Sequence, residues 1–182
     1  MAEGGARGPE EIAVWADARR AAGEGAMETG PHSVADGGVV RLAEVTSDTV
    51  RAMCLLQVAP AQRGSVAPNA VSFAEAMFEP KAWFRAVVAD DVPVGFVMMS
   101  IDPATPKYYL WRFMIDARYQ GRGYGRAVLA LVVDHVRALP DATELLVSWD
   151  PGPDGPAGFY LGLGFEPTGE IDEGEVVARL AL

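Results

Sequence analysis

The chain has 182 residues, half of them hydrophobic, with a formal net charge of −10 and a single cysteine. That length suffices for one domain with a full core, and the composition is that of a globular chain rather than a disordered one. The acidity argues against a nucleic-acid partner, which needs a basic footprint, and one cysteine excludes an intramolecular disulfide and any multi-cysteine metal site.

No apolar run is long enough to cross a membrane and the N-terminus lacks a signal-peptide pattern, so the expectation is a cytoplasmic protein with no membrane partner. Residues 1–38 are broken by glycines and carry only Ile12, Val14 and Trp15 as large apolar groups in their one helix-like piece. They read as a flexible tail, leaving 39–182 as the folded domain. Val39 to Val45 reads as a strand, followed by Thr46, Ser47 and Asp48 as capping residues for a helix from about Thr49 that Pro60 stops. Cys54, flanked by Met53 and Leu55, reads as a buried thiol. An irregular stretch follows, and Ser72 with Glu75 has the spacing of a capping box for a short helix ending before Pro80.

Trp83 to Ala89 and Val92 to Ile101 are valine-rich strands, with Asp90-Asp91 as the turn between them. Lys107 to Ile115 is the central strand. From Gly123 to Leu139 a helix places Val128, Val132, Val136 and Leu139 on one stripe. Glu144 to Trp149 is the next strand, and strand–helix–strand in that order implies a parallel pair. A Pro/Gly-rich loop leads to a short helix around Phe159 to Leu163, and Val176 to Leu182 closes the sheet. The fold class is therefore α+β: a mixed, mostly antiparallel central sheet with helices on both faces.

The stretch that organises this arrangement is Lys107 to Arg126, a buried strand breaking into Gln120-Gly121-Arg122-Gly123-Tyr124-Gly125 and then a helix. Glycines admit close backbone approach, and a helix start offers free N–H groups at its positive end, a site for phosphate oxygens. Arg118, Arg122 and Arg126 add positive charge. A Walker loop needs Lys-Ser or Lys-Thr where Arg126-Ala127 stands, and a dinucleotide fingerprint needs glycine at Arg126 or Val128. Neither fits.

Gln120, Gly123 and Gly125 match the acyl-CoA signature of the GNAT acetyltransferases, Gln/Arg-x-x-Gly-x-Gly/Ala. Beyond it, the runs Trp111 to Asp116, Tyr119-Gln120-Gly121, Val66 to Asn69 with Ser72, Phe78-Glu79-Pro80, Leu163-Gly164-Phe165, Thr168-Gly169-Glu170 and Asp172-Glu173-Gly174-Glu175 resemble the bacterial diamine and spermidine/spermine N-acetyltransferases. The resemblance covers Val39 to Leu182. It implies a GNAT fold and acetyl-CoA as cosubstrate, held by the strand end Phe113, Met114 and Ile115 and by Arg118, Gln120, Gly121, Arg122, Gly123, Tyr124, Gly125 and Arg126. It implies Tyr160, before Leu163-Gly164-Phe165, as the proton donor to the departing sulfur. Backbone N–H groups near Met114 and Ile115 would polarise the acetyl carbonyl.

The implied acceptor is a small-molecule primary amine, a polyamine or diamine, facing the Gln57–Glu79 segment with Asn69, Glu75, Glu79 and Trp111 as contacts. Glu75, Glu79, Asp102 and Glu144 are candidate general bases. His135, mid-helix, reads as structural, and no metal site is expected. Edge strands in this fold often pair, so the resemblance also allows for a homodimer. Two alternatives stay open: another acceptor (an aminoglycoside-like drug, an amino acid, a protein N-terminus), and a catalytically silent acyl-CoA-binding regulator. A pure binder would have no use for Tyr160.

Overall fold

The computed structural model describes residues 32–33, 38–102, 104–153 and 155–182. Most of the expected tail lies outside the described residues; inside it, His32–Ser33 forms a two-residue strand, β1, against Val39 and Val40. The strands that follow are β2 (Val39–Ala43), β3 (Ala82–Ala89), β4 (Val92–Asp102), β5 (Lys107–Ile115), β6 (Glu144–Trp149), β7 (Glu166–Asp172) and β8 (Glu175–Ala181). The helices are α1 (Val50–Cys54), α2 (Asn69–Ala76), α3 (Tyr124–Arg137) and α4 (Ala157–Leu161), with 3-10 turns at Pro60–Gln62 and Ala117–Tyr119. One eight-stranded sheet runs in the order β1-β2-β3-β4-β5-β6-β8-β7. Its neighbours are antiparallel except β5 and β6, which are parallel.

Both faces of the central strands are buried, which explains their nearly unbroken apolar runs. Val87, Val97 and Met99 join Val128, Val132 and Val136 of α3 in one cluster. Ala86, Val88, Phe96 and Met98, alternating with them, join Met53 and Leu56 on the other face. The β3–β4 turn holds Asp90 and Asp91 at φ 46° and 65°. Two consecutive left-handed residues are what a two-residue hairpin requires, and aspartate tolerates that geometry better than most side chains.

Several local expectations need correction. Asp48 and Ser47 do not cap α1; the Thr46 N–H donates to the Thr49 hydroxyl at 2.8 Å, closing the turn before the helix. Ser72 caps nothing, because Pro68, which has no N–H to leave unpaired, sets the start of α2 and puts Ser72 in its buried interior. Cys54 is half-buried rather than enclosed. The chain between Glu166 and Asp172 is a strand that its sequence does not announce: every residue in it is exposed, so it has no apolar alternation.

Candidate active site

The site originates in a defect of the sheet. β5 and β6 pair only at Tyr109–Leu146 and Leu110–Val147 and then diverge. Where they part, β5 carries a bulge: Leu110 faces Met99 and Arg112 faces Met98, leaving Trp111 as the extra residue. A bulge strengthens local twist and ends regular pairing. The Arg112 guanidinium lies 5.0 Å over the Trp111 ring and pairs with Glu75 of α2 at 3.3 Å. Beyond the bulge the β5 edge from Trp111 to Ile115 has no strand partner on the β6 side among the described residues. The result is a cleft of about 1200 Å³ lined by Trp111 to Ile115, by Val147 to Trp149, by the glycine loop and by Phe159 and Tyr160.

The glycine loop forms one wall. Gly121 and Gly123 sit at φ 76° and 83°, and a Cβ at either would meet nothing within 4 Å, so backbone conformation alone selects glycine there. Gly125 has a different reason: a Cβ would lie 3.2 Å from the Phe159 ring, so its bareness lets α4 seat against the start of α3. Gly123 is the N-cap of α3, whose first turn contains no acidic residue. The first of these loop amides with a backbone acceptor is Ala127, on the Gly123 carbonyl at 3.2 Å; the N–H groups of Tyr124, Gly125 and Arg126 have none among the described residues. Arg126 adds a cation where the helix is already positive, a placement that opposes the macrodipole unless an anion is bound. Arg126→Glu should therefore leave the melting temperature unchanged or higher and weaken coenzyme A binding by at least about tenfold in calorimetry.

Tyr160 occupies the opposite side of the loop contact, on α4. Its ring is 6% exposed, stacked on Trp149 at 5.5 Å and edge-on to Phe165 at 5.4 Å. The structure shows no hydrogen bond from its hydroxyl to a described residue, and the residue lines the cleft. Burial pushes the phenol well above its ordinary pKa, and the Glu175 carboxylate pushes it further in the same direction. The group thus remains a protonated donor.

Four expected contacts are engaged elsewhere. Asn69 is buried between helices, donating to the Met53 carbonyl at 2.8 Å. Glu75 is held by Arg112. Arg118 folds back on Asp116, with Nε 2.8 Å from Oδ1, and Arg122 donates to the Arg118 carbonyl at 3.1 Å. Neither arginine lines the cleft; both guanidinium groups lie near the Tyr119 ring instead. Gln120 does line it, but its amide donates to the Ile115 carbonyl and to Gln62. Phe113, Met114, Ile115, Gly121, Gly123, Tyr124, Gly125, Arg126, Trp111 and Glu79 all border the cleft.

Sequence reasoning missed the acidic part of the lining: Asp150, Asp172, Glu173 and Glu175. Glu175 accepts a hydrogen bond from the Ser148 hydroxyl on β6. The signal was present as the Asp172-Glu173-Gly174-Glu175 run, but without β7 its turn could not be placed against β6. Of the four candidate bases only Glu79 lines the cleft; Asp102 pairs with Lys81 at 2.7 Å and Glu144 faces Arg179. His135 stacks on Trp83 at 4.3 Å, on the α3 face of the sheet. Among the described residues no group of three or more His, Cys, Asp or Glu could hold a metal ion, and no helix is long and apolar enough to cross a membrane.

A parallel pair that parts beside a bulge and a glycine-started helix next to the gap thus share one cleft. Residues 41–165 match the Acetyltransferase (GNAT) family, and the chain belongs to that family. Over 85 residues it is 31% identical to the spermine/spermidine N(1)-acetyltransferase of Bacillus subtilis (strain 168), an alignment covering 43% of this chain and 56% of that protein. The chain thus spans about half the length of the curated relatives it matches. Among solved structures it is similar to the GNAT domain of S. lividans PAT, with TM-score 0.67 and 17% identity over 84% of this chain and 96% of that one. It is also similar to Mycobacterium smegmatis RimJ in complex with CoA-disulfide, with TM-score 0.61 and 16% identity over 85% and 87% of the two chains. At such identities these two likenesses concern the fold.

Proposed function

We propose that this chain is an N-acetyltransferase that moves the acetyl group of acetyl-CoA directly to a primary amine, with polyamines or small diamines as acceptors. The observation that carries it is the composition of one cleft: free helix-start amides with Arg126, a buried phenol, and a group of carboxylates. The cleft fits acetyl-CoA, because the splayed β5 edge offers backbone groups to an extended chain and the glycine loop offers N–H donors to a pyrophosphate. When bound, the thioester supplies an electrophilic carbonyl and a thiolate leaving group.

The protein's own residues supply the rest. A primary alkylamine has a pKa of ~10.4, so only about one molecule in 2500 is neutral at pH 7. Carboxylates beside the cleft attract the ammonium form and can take its proton. Glu175 is the best placed for that proton, since its charge reaches Tyr160 and its carboxylate is anchored by Ser148. As nitrogen bonds to the acetyl carbon and the carbon–sulfur bond breaks, the Tyr160 hydroxyl donates to the sulfur. A coenzyme thiol, with a pKa near ~8.5 like cysteine, is less basic than this phenol. The donor therefore stabilises the leaving sulfur by hydrogen bonding and keeps most of its proton.

A polyamine presents a second and third cation, and the exposed Asp172 and Glu173 at the β7–β8 turn suit them. The double variant Asp172→Asn/Glu173→Gln should raise KM for spermidine about threefold to tenfold and leave kcat unchanged. The difference should shrink as salt rises. An equal KM in the two proteins at low salt would remove the polyamine assignment and leave the transferase reading with another amine.

A further inference from the structure

Two loops border the cleft, and each touches the core only through partly buried side chains: Val58 and Val66 in one, Tyr119 in the other. Between Leu56 and Asn69 no residue is buried, and the same holds from Ala117 to Gly123. Segments with so few buried apolar contacts have low local stability, and polar bonds then carry a larger share of their placement. Here those bonds run from one loop to the other. Asp116, 2% exposed, accepts the Gln57 N–H at 2.9 Å, and the Ala117 N–H donates to the Gln57 carbonyl at 2.8 Å. Farther along, the Gln120 amide donates to Gln62 Oε1 at 2.7 Å, and the same oxygen accepts the Ala59 N–H at 3.2 Å. Gln120 also donates to the Ile115 carbonyl at 2.9 Å, tying the pair to the end of β5.

We propose that Gln62 and Gln120, with Asp116 at their root, are positioning residues forming a strut between the coenzyme loop 116–123 and the acceptor-side loop 57–66, so that a bound coenzyme orders the wall the amine meets. This rests on the acetyltransferase reading for the identity of the two ligands. The geometry favours a strut over direct ligation because the donors of Gln120 are already spent on protein acceptors. Loop 116–123 leads into the helix start, so a coenzyme fixing Gly121 and Gly123 also fixes Gln120, and through it Gln62 and Ala59. Binding that removes motion from one loop lowers the ordering cost at the other, which is positive coupling without a large movement. By linkage, the amine must then tighten coenzyme binding by the same factor.

The test is hydrogen exchange of the full chain with and without coenzyme A, in wild type, Gln62→Leu and Gln62→Glu. Glutamate keeps an acceptor oxygen for Gln120 and Ala59; leucine removes it. Coenzyme A should slow exchange in peptides covering 57–66 in wild type and Gln62→Glu but not in Gln62→Leu, while protection of 124–128 persists in all three. At saturating acetyl-CoA, KM for spermidine should rise about threefold to tenfold in Gln62→Leu, with kcat within about twofold and with near-complete rescue in Gln62→Glu. Gln120→Leu combined with Gln62→Leu should cost clearly less than the sum of the two, because both remove the one bond they share. Equal protection of 57–66 in Gln62→Leu and wild type overturns the strut, as does additivity of the two leucine substitutions. Absence of turnover with every amine would instead overturn the transferase reading, and the exchange measurement would still decide on the strut.

Discussion

Tyr160→Phe should lower kcat for acetyl transfer about a hundredfold, equivalent to ~2.7 kcal/mol of lost transition-state stabilisation, with KM for both substrates nearly unchanged. The substitution is unusually clean. The ring packs against Trp149, Phe159 and Phe165, and phenylalanine retains all of that. Since the structure shows no hydrogen bond from the hydroxyl to a described residue, its removal breaks none of these, and thermal stability should stay within about 2 °C of wild type. Rate and stability thus separate. The pH profile follows from the direction of the shift: a phenol raised above its ordinary pKa by burial and by Glu175 stays protonated through roughly pH 6–9. In that range the rate should only climb, as more of the amine loses its proton. A falling limb below about pH 9 that disappears in Tyr160→Phe would contradict the assignment.

Gly95→Ala should destabilise the protein by about 3 kcal/mol, lowering Tm by roughly 6–12 °C in a chain of this size. Gly95 lies on β4 opposite Ile115, and an added Cβ would stand 2.4 Å from the Met114 carbonyl oxygen and 2.8 Å from Ile115 Cδ1. The Ile115 methyl can swing aside, but the Met114 carbonyl oxygen cannot, because it is backbone of the strand that forms the floor of the cleft. Gly64→Ala is the control: its Cβ meets nothing within 4 Å, and the change should stay within about 0.5 kcal/mol. Denaturant unfolding of the two variants decides. Equal stabilities would mean that β4 and β5 are not held as closely as described.

How much of this was legible beforehand depended on whether the information was local. The Asp90-Asp91 turn, the valine stripe of α3 and the parallel pairing of β5 with β6 follow from periodicity, turn chemistry and the handedness of crossovers, and the structure has all three. The glycines at 121, 123 and 125 were legible as a loop before a helix, though the reason for Gly125 needed Phe159, thirty-odd positions on. β7 was not legible, because an edge strand exposed along its whole length, containing Pro167 and Gly169, carries no alternation to read. Its absence from the sequence reading hid the acidic turn that follows it. Arg118 and Arg122 look like phosphate ligands in sequence; only coordinates show one folded onto Asp116 and the other onto a backbone carbonyl. The bulge at Trp111 was equally hidden, since it depends on the register of β4 against β5.

Everything above converges on one reaction, the transfer of an acetyl group from acetyl-CoA to an amine in this cleft. Thiol release from acetyl-CoA, followed across putrescine, spermidine, spermine, aminoglycosides and amino acids with Tyr160→Phe in parallel, tests it most directly. Release should be stimulated most by the polyamines, with one N-acetylated product per thiol and a collapse of the rate in Tyr160→Phe. Tight binding of acetyl-CoA with no release in the presence of any amine would contradict it.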